Sequence, residues 1–372
     1  MQTMMKEKQL AVVIAGIGDL VMASKSLRAM KRFHHDRELW LLTSSEAAAL
    51  AAYYPYIDRV IPFPIREFRK NRGQGFTMWQ TLIRLRQIHF MQCTNLYLVG
   101  SRLGALKMGL LFTLLHGKIK AGHDAFGFGA FLTVKAPTDI FTRRHFVDAM
   151  GDIAALSGAT PDDGGLDVFW DHRFEQKWQP FFDKHHDNIL IGINPGGDRP
   201  NRRWGTDRFA SVADALSHND KAMIVLFGGP GEEALADTIG KHLPAAKVVS
   251  VAGRLNLHEL CYLISRLDLF ITNDSGPMHI AAATGTPVVA IFGPENPRFL
   301  RPYAPEGLYR VVYKDVPCRP CNKSACDNPI CLTSITTDEV LSSARDLLRT
   351  AVFKIADPTK PVAPPTDREE DL

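Results

Sequence analysis

The stretch Leu269-Phe270-Ile271-Thr272-Asn273-Asp274-Ser275-Gly276-Pro277-Met278-His279 decides how this chain is read. Its first four residues are apolar or β-branched, and a short run of that kind predicts a buried strand. Asp274 to Pro277 break the run, and Met278–Ala283 continues as a short helix. Pro277 suits the first helical position, where a missing N–H costs nothing. Gly276 lets another backbone or a ligand approach closely. A strand feeding a helix in this way leaves free N–H groups and the positive end of the dipole at the helix start, which together attract phosphate. The dipole favours an anion by about 0.3–1 kcal/mol. Each charge-assisted hydrogen bond from Ser275 or a neighbouring amide adds about 1.5–3 kcal/mol. The same residues equally suit an ordinary capped helix, with Asp274 or Ser275 as the cap.

On either side of this stretch the same strand-to-helix pattern repeats. Ile189–Asn194 reads as a strand ending in Pro195-Gly196-Gly197, followed by Arg199, Arg202, Arg203 and Trp204. Met223–Phe227 runs into Gly228-Gly229-Pro230-Gly231-Glu232, and Lys247–Val251 and Val288–Phe292 are further strands. Asn256 with Glu259, and Thr336 with Glu339, are capping boxes that open two helices. Leu257, Leu260, Ile264 and Leu267 form the apolar stripe of the first of these. Such alternation is the signature of parallel βαβ units. In open α/β sheets ligands bind at the C-terminal ends of strands. Gly196 and Gly197 followed by three arginines form a candidate diphosphate clamp there, or a solvated basic loop. Glu232 stands either as an acceptor for a ribose or sugar hydroxyl or as an acid favoured at a helix start. Neither G-x-x-x-x-G-K-[ST] nor a well-placed G-x-G-x-x-G occurs, which disfavours a simple ATPase or dehydrogenase.

The first half carries a weaker series. Leu10–Ala15 is a strand that closes on Gly16-Ile17-Gly18-Asp19, and Leu20, Ala23, Leu27 and Met30 then fall at helical spacing. Leu39–Leu42 and Leu96–Val99 are further strand expectations. Asp19 is either the N-cap of its helix or a base that takes a proton from an acceptor hydroxyl, a role worth about 10²–10⁴-fold in rate. The polar, His-rich segment Asp171–Asn188 is the expected domain junction, giving domains 1–182 and 188–356. Beyond Asp357 the Pro-rich, charged residues 357–372 are expected to be disordered.

A length of 372 residues suits two domains, and 45% hydrophobic with 23% charged residues is ordinary for a globular protein. A net charge of +4 gives no argument for nucleic acid. No apolar run approaches the roughly 20 residues of a membrane span. Leu10–Gly16 reads as a strand rather than a secretory signal, so a cytoplasmic location is expected. Basic residues cluster between Arg66 and Arg86, where six face one acid, Glu67. Arg66, Arg69 and Lys70, with Arg143 and Arg144, are candidates for meeting phosphates or carboxylates of an acceptor or an anionic membrane surface, or form a solvated face. Phe76, Trp79 and Phe90 are a lipid-facing group or core. Six cysteines are no disulfide framework. Cys318, Cys321, Cys326 and Cys331 follow C-x₂-C-x₄-C-x₄-C: four thiolates for a structural Zn²⁺, or reduced thiols, or a disulfide.

The segments Ile189–Trp204 and Asp268–Pro294, and more weakly Val12–Leu27 and the cysteine region up to Ile335, resemble glycosyltransferase family 9, the lipopolysaccharide heptosyltransferases. Asn273 to His279 is the most specific part, and Ile65–Asp187 matches loosely. The resemblance implies a GT-B architecture of two Rossmann-like domains facing across a cleft. It implies a C-terminal domain that binds a nucleotide sugar, commonly ADP-heptose, and an N-terminal domain that binds a lipid-linked glycan. It implies inverting transfer without a metal cofactor, on the cytoplasmic face of the inner membrane. It favours Asp19 as the base, and it places Asp274, Ser275, Gly276 and His279 at the donor. It sets Arg202 where the family often has Lys, a change that keeps the charge and alters its geometry. Glu232 becomes a nucleotide contact, and the cysteines become structural. Two other readings compete: a sugar-nucleotide epimerase of the same architecture, and a non-catalytic envelope-glycan-binding protein.

Overall fold

The computed structural model describes residues 6–65, 75–136, 144–321, 323 and 325–351. The chain divides into two compact units between Asp167 and Val168. In the first unit the strands are β1 Lys8–Val13, β2 Glu38–Ser44, β3 Arg59–Phe63, β4 His89–Asn95, β5 His116–His123 and β6 Val134–Ala136. They form one parallel sheet in the order β3-β2-β1-β4-β5-β6. In the second unit they are β7 Ile189–Asn194, β8 Ala222–Leu226, β9 Val248–Ser250, β10 Leu269–Asn273, β11 Val288–Phe292 and β12 Tyr309–Tyr313. These also form a parallel sheet, in the order β12-β11-β10-β7-β8-β9. Each sheet is therefore doubly wound, with the winding direction reversing beside its first strand, between β1 and β4 and between β7 and β10. Crossover connections to parallel neighbours require intervening helices, and these make up most of the remaining elements.

The strands read as apolar runs because both of their faces are covered. Leu10 to Val13 of β1 and Leu269 to Ile271 of β10 have no exposed surface. Leu20, Ala23, Leu27 and Met30 form the fully buried stripe of helix Ile17–Phe33, as their spacing predicts. Both capping boxes are present. Asn256 Oδ1 accepts the Glu259 N–H at 3.0 Å while Glu259 Oε2 accepts the Asn256 N–H at 3.1 Å. Thr336 and Glu339 reciprocate in the same way.

Two expectations differ from the structure. The strand foreseen at Leu96–Val99 lies earlier, at β4. That strand buries Gln92, Thr94 and Asn95, so its sequence lacks the apolar signature. The junction foreseen within Asp171–Asn188 falls instead at Asp167/Val168, and the helix His172–Lys184 belongs to the second unit. Its polar residues conceal a packed face: Trp178 donates to Glu259 Oε1 at 3.1 Å, and the Phe182 ring meets Tyr262 edge-on at 5.6 Å. Residues 357–372 lie outside the described residues. No helix among the described residues is long and apolar enough to cross a membrane.

Candidate functional site

The winding of the second sheet brings the ends of β7 and β10 side by side, with Asn194 in register with Thr272. A crevice at such a switch point is where ligands bind in open α/β sheets. Both loops with the strongest sequence signals leave from there. Gly197 has φ +145°, a conformation side chains rarely adopt, and a Cβ built on it would stand 3.7 Å from Ser275 Cβ. The two loops are thus in contact range. A Cβ on Gly196 would sit 2.1 Å from Glu232 Oε2, so only glycine leaves room for that carboxylate.

Glu232, the N-cap of helix Glu233–Gly240 that follows β8, braces the crevice. Its Oε1 accepts the Gly197 N–H at 2.8 Å and the Arg203 guanidinium at 3.0 Å, and its Oε2 accepts the Gly229 N–H at 2.8 Å. Ser275 is the N-cap of helix Gly276–Thr284, with extended backbone and no cap bond from its side chain. Its hydroxyl lies 3.2 Å from Thr272 Oγ1 instead. No side-chain cap closes the amide end of the helix, and although Met278 N–H donates to the Ser275 carbonyl at 3.1 Å, the Gly276 amide and the helix dipole face the crevice mouth as an anion site requires. His279 is buried in the first turns of this helix.

The arginines are less free than their sequence suggests. Arg202 pairs with Asp274 at 3.1 Å and with Glu295. Arg199 lies 3.6 Å from Glu295. Arg203 donates twice to the Gly197 carbonyl, at 3.0 and 2.7 Å, besides its bond to Glu232. Three guanidinium groups thus face three carboxylates, and the positive character left over comes chiefly from backbone amides and the helix dipole. Glu295 escaped the sequence reading, although it follows β11 and so lies at another strand end of the same sheet. It competes with any anion for Arg202 and Arg199. Glu295→Gln is expected to tighten binding of a diphosphate anion such as pyrophosphate about five- to tenfold, the worth of releasing a charge-assisted contact, as titration calorimetry would register. Weaker binding by this variant would mean that Glu295 orients Arg202 rather than competing for it.

Asn273 is the second residue the sequence reading passed over as a site residue. Fully buried, it accepts the Trp204 N–H at 3.0 Å and donates to the carbonyls of Pro195 at 2.9 Å and Gly196 at 3.0 Å. One side chain thereby ties the loop after β7 to β10. Asn273→Ala would strand three backbone groups, each worth about 1–3 kcal/mol when buried without a partner. Chemical denaturation should find this variant less stable by about 3 kcal/mol or more; a midpoint equal to the parent's would show that the loop does not depend on this anchor.

In the first unit, Asp19 is not the N-cap of its helix. Gly16 holds that position, and Asp19 at the third helical residue accepts the Gly16 N–H at 3.2 Å. The side chain is half-buried, and the helix dipole favours negative charge there. Arg144 pairs with Asp152 at 2.6 Å. Arg66, Arg69, Lys70 and Arg143 lie outside the described residues. Phe90 is core, whereas Phe76 and Trp79 are exposed.

The four C-terminal cysteines are all free. Cys318 and Cys326 are exposed, Cys321 is half-buried and Cys331 is buried. No group of three or more His, Cys, Asp or Glu among the described residues is placed to hold a metal ion. Burial pushes the Cys331 thiol up, against the pull of the nearby Arg319 guanidinium, and so disfavours its thiolate. As arranged, the four side chains do not form the tetrahedral zinc set that their spacing offers. Cys331 packs in the core of the second unit with Leu332 and Ile335.

Comparison with known proteins bears on the family and the fold. The model of glycosyltransferase family 9 (heptosyltransferase) matches residues 101–331. The chain is 31% identical over 351 residues to lipopolysaccharide heptosyltransferase 3 of Escherichia coli, covering 89% of this chain and 96% of that one. Its fold is similar to the crystal structure of a family 9 glycosyltransferase from Veillonella parvula, with TM-score 0.75, 24% identity, and 92% and 97% of the two chains covered. It is also similar to the E. coli heptosyltransferase WaaC with ADP-2-deoxy-2-fluoro heptose, with TM-score 0.67, 18% identity, and 90% and 98% covered. Two doubly wound sheets of this kind, matched by these structures, are the GT-B architecture of a glycosyltransferase. The chain belongs to glycosyltransferase family 9, the heptosyltransferase family.

Proposed function

We propose that this enzyme moves a heptose from ADP-heptose to a lipopolysaccharide-core or similar lipid-linked envelope glycan, in one displacement that inverts the anomeric centre. The observation that carries the donor half is the crevice between β7 and β10, where an uncapped helix start, two glycines and two arginines meet. A related fold with an ADP-heptose analogue bound supports this choice of nucleotide.

In this reading an acceptor hydroxyl attacks the anomeric carbon. The new glycosidic bond forms as the bond to the diphosphate oxygen breaks, and ADP departs with the electron pair. Amides at the start of helix Gly276–Thr284, with Arg202 and Arg203, receive the developing charge, so the reading calls on no metal ion. Arg202 exchanges part of its pairing with Asp274 and Glu295 for the diphosphate. Glu232 holds the Gly197 turn in place and has lone pairs to spare for a ribose hydroxyl. Asp19 takes the proton of the attacking hydroxyl. The acceptor belongs to the first unit, and its lipid brings the enzyme to the cytoplasmic face of the inner membrane.

Incubation of the full chain with ADP-heptose, with and without a deacylated lipid A core acceptor, tests this reading by mass spectrometry. Heptosylated acceptor and free ADP, formed only when both substrates are present, are expected. Conversion of the sugar nucleotide without acceptor would identify an epimerase, and an unchanged mixture would favour a binding protein.

A further inference from the structure

Two helices of the first unit, Gly75–Arg86 and Arg102–Leu114, pack against each other and are apolar on both sides. Inward, Leu85, Met108, Leu111 and Phe112 join the core. Outward, Phe76, Trp79 and Ile83 repeat at i, i+3 and i+7, and so do Leu103, Leu106 and Leu110. All six are more than half exposed. A surface helix ordinarily turns polar residues to water. Eleven large apolar side chains are exposed among the described residues, and six of them are these, so the exposure is concentrated rather than scattered.

The stretch of chain that builds this face carries charge of one sign. Residues 75–123 contain Arg84, Arg86, Arg102, Lys107, Lys118 and Lys120 and no Asp or Glu. An even spread of the chain's acids would place about five there. Where β4 and β5 begin, a hollow of about 490 Å³ is lined by His89, His116, Lys118 and Lys120 among others. None of these Lys or Arg residues forms an ion pair among the described residues.

We infer that this face docks on an anionic phospholipid bilayer, with the six apolar side chains entering the headgroup boundary and the surrounding cations meeting lipid phosphates. An apolar stripe edged by Lys and Arg is the composition that lies in a membrane interface. A second copy is disfavoured as occupant, because a face-to-face dimer through these two helices would set Arg84, Arg86, Arg102 and Lys107 against their own copies, with no acid on either helix to pair them. The inference deepens the membrane-contact part of the proposed function and rests on it, but not on the identity of the donor.

The test is flotation of the full chain with vesicles of phosphatidylcholine alone, or of phosphatidylcholine with phosphatidylglycerol. Binding is expected only to the anionic vesicles and should weaken with salt. Leu103→Ser/Leu106→Ser/Leu110→Ser should reduce it at least about tenfold. Arg84→Gln/Arg86→Gln should reduce it about fivefold per charge. Brominated lipid should quench a tryptophan signal that Trp79→Phe removes. Heptose transfer to a deacylated, soluble acceptor should be unchanged in the leucine variant, which checks its fold and separates this inference from the donor assignment. Failure to bind anionic vesicles, or full binding by the leucine variant, would overturn the assignment. So would a dimer in sedimentation equilibrium that the leucine substitutions dissolve.

Discussion

Asp19→Asn is expected to lower turnover by about 10²–10⁴-fold, the usual contribution of a positioned general base, while ADP binding stays as in the parent. The substitution is nearly isosteric. Asn can still accept the Gly16 N–H that Asp19 accepts at 3.2 Å, so the start of helix Ile17–Phe33 should keep its geometry. What is lost is the capacity to take up a proton. The crevice proposed for the donor is built from residues of the other unit, so ADP affinity serves as the control. Steady-state rates with ADP-heptose and a core acceptor, together with ADP calorimetry, separate the two effects. A variant that turns over at the parent rate would remove Asp19 from the chemistry; one that loses ADP affinity would indicate a structural role.

Arg202→Met should be the most damaging change on the donor side. Arg202 is the common partner of Asp274, whose side chain is 3% exposed, and of Glu295, at 18%. Removing one partner of a buried pair costs about 3–5 kcal/mol, because the other charge stays buried and uncompensated. Here the orphaned carboxylates also face the place assigned to the diphosphate. ADP affinity is therefore expected to fall at least about 10²-fold, with a lower thermal midpoint. Arg202→Lys should recover only part of the loss, since an ammonium is a point charge that cannot fork between two carboxylates as a guanidinium does. Unaltered ADP affinity in Arg202→Met would show that this side chain is an internal brace and that the amides alone hold the ligand.

How much of this was legible in the sequence depends on how each signal is encoded. β7 and β11 were readable to the residue, because buried parallel strands are continuous apolar runs. β4 was not, because it hides Gln92, Thr94 and Asn95. The helix His172–Lys184 looked like a linker because most of its surface is polar, and contacts with His258, Glu259, Tyr262 and Arg266, all distant in sequence, place it in the second unit. The glycine turns and the helix start after Ser275 were legible as local chemistry. The ion pairs were not: Arg202 meets Asp274 and Glu295, both far along the chain, and nothing near Arg202 announces them. The brace role of Glu232 was hidden for the same reason. The cysteine spacing illustrates the opposite limit, since a regular pattern in sequence does not place four sulfurs around one point.

Whether the second sheet's switch point holds the nucleotide diphosphate can be seen in a crystal structure of the full chain grown with ADP. Phosphate oxygens are expected within hydrogen-bond distance of amides at the start of helix Gly276–Thr284, with the Arg202 guanidinium turned toward them and at least one of its carboxylate contacts given up. A diphosphate bound elsewhere, with Arg202 still fully engaged by Asp274 and Glu295, would contradict it.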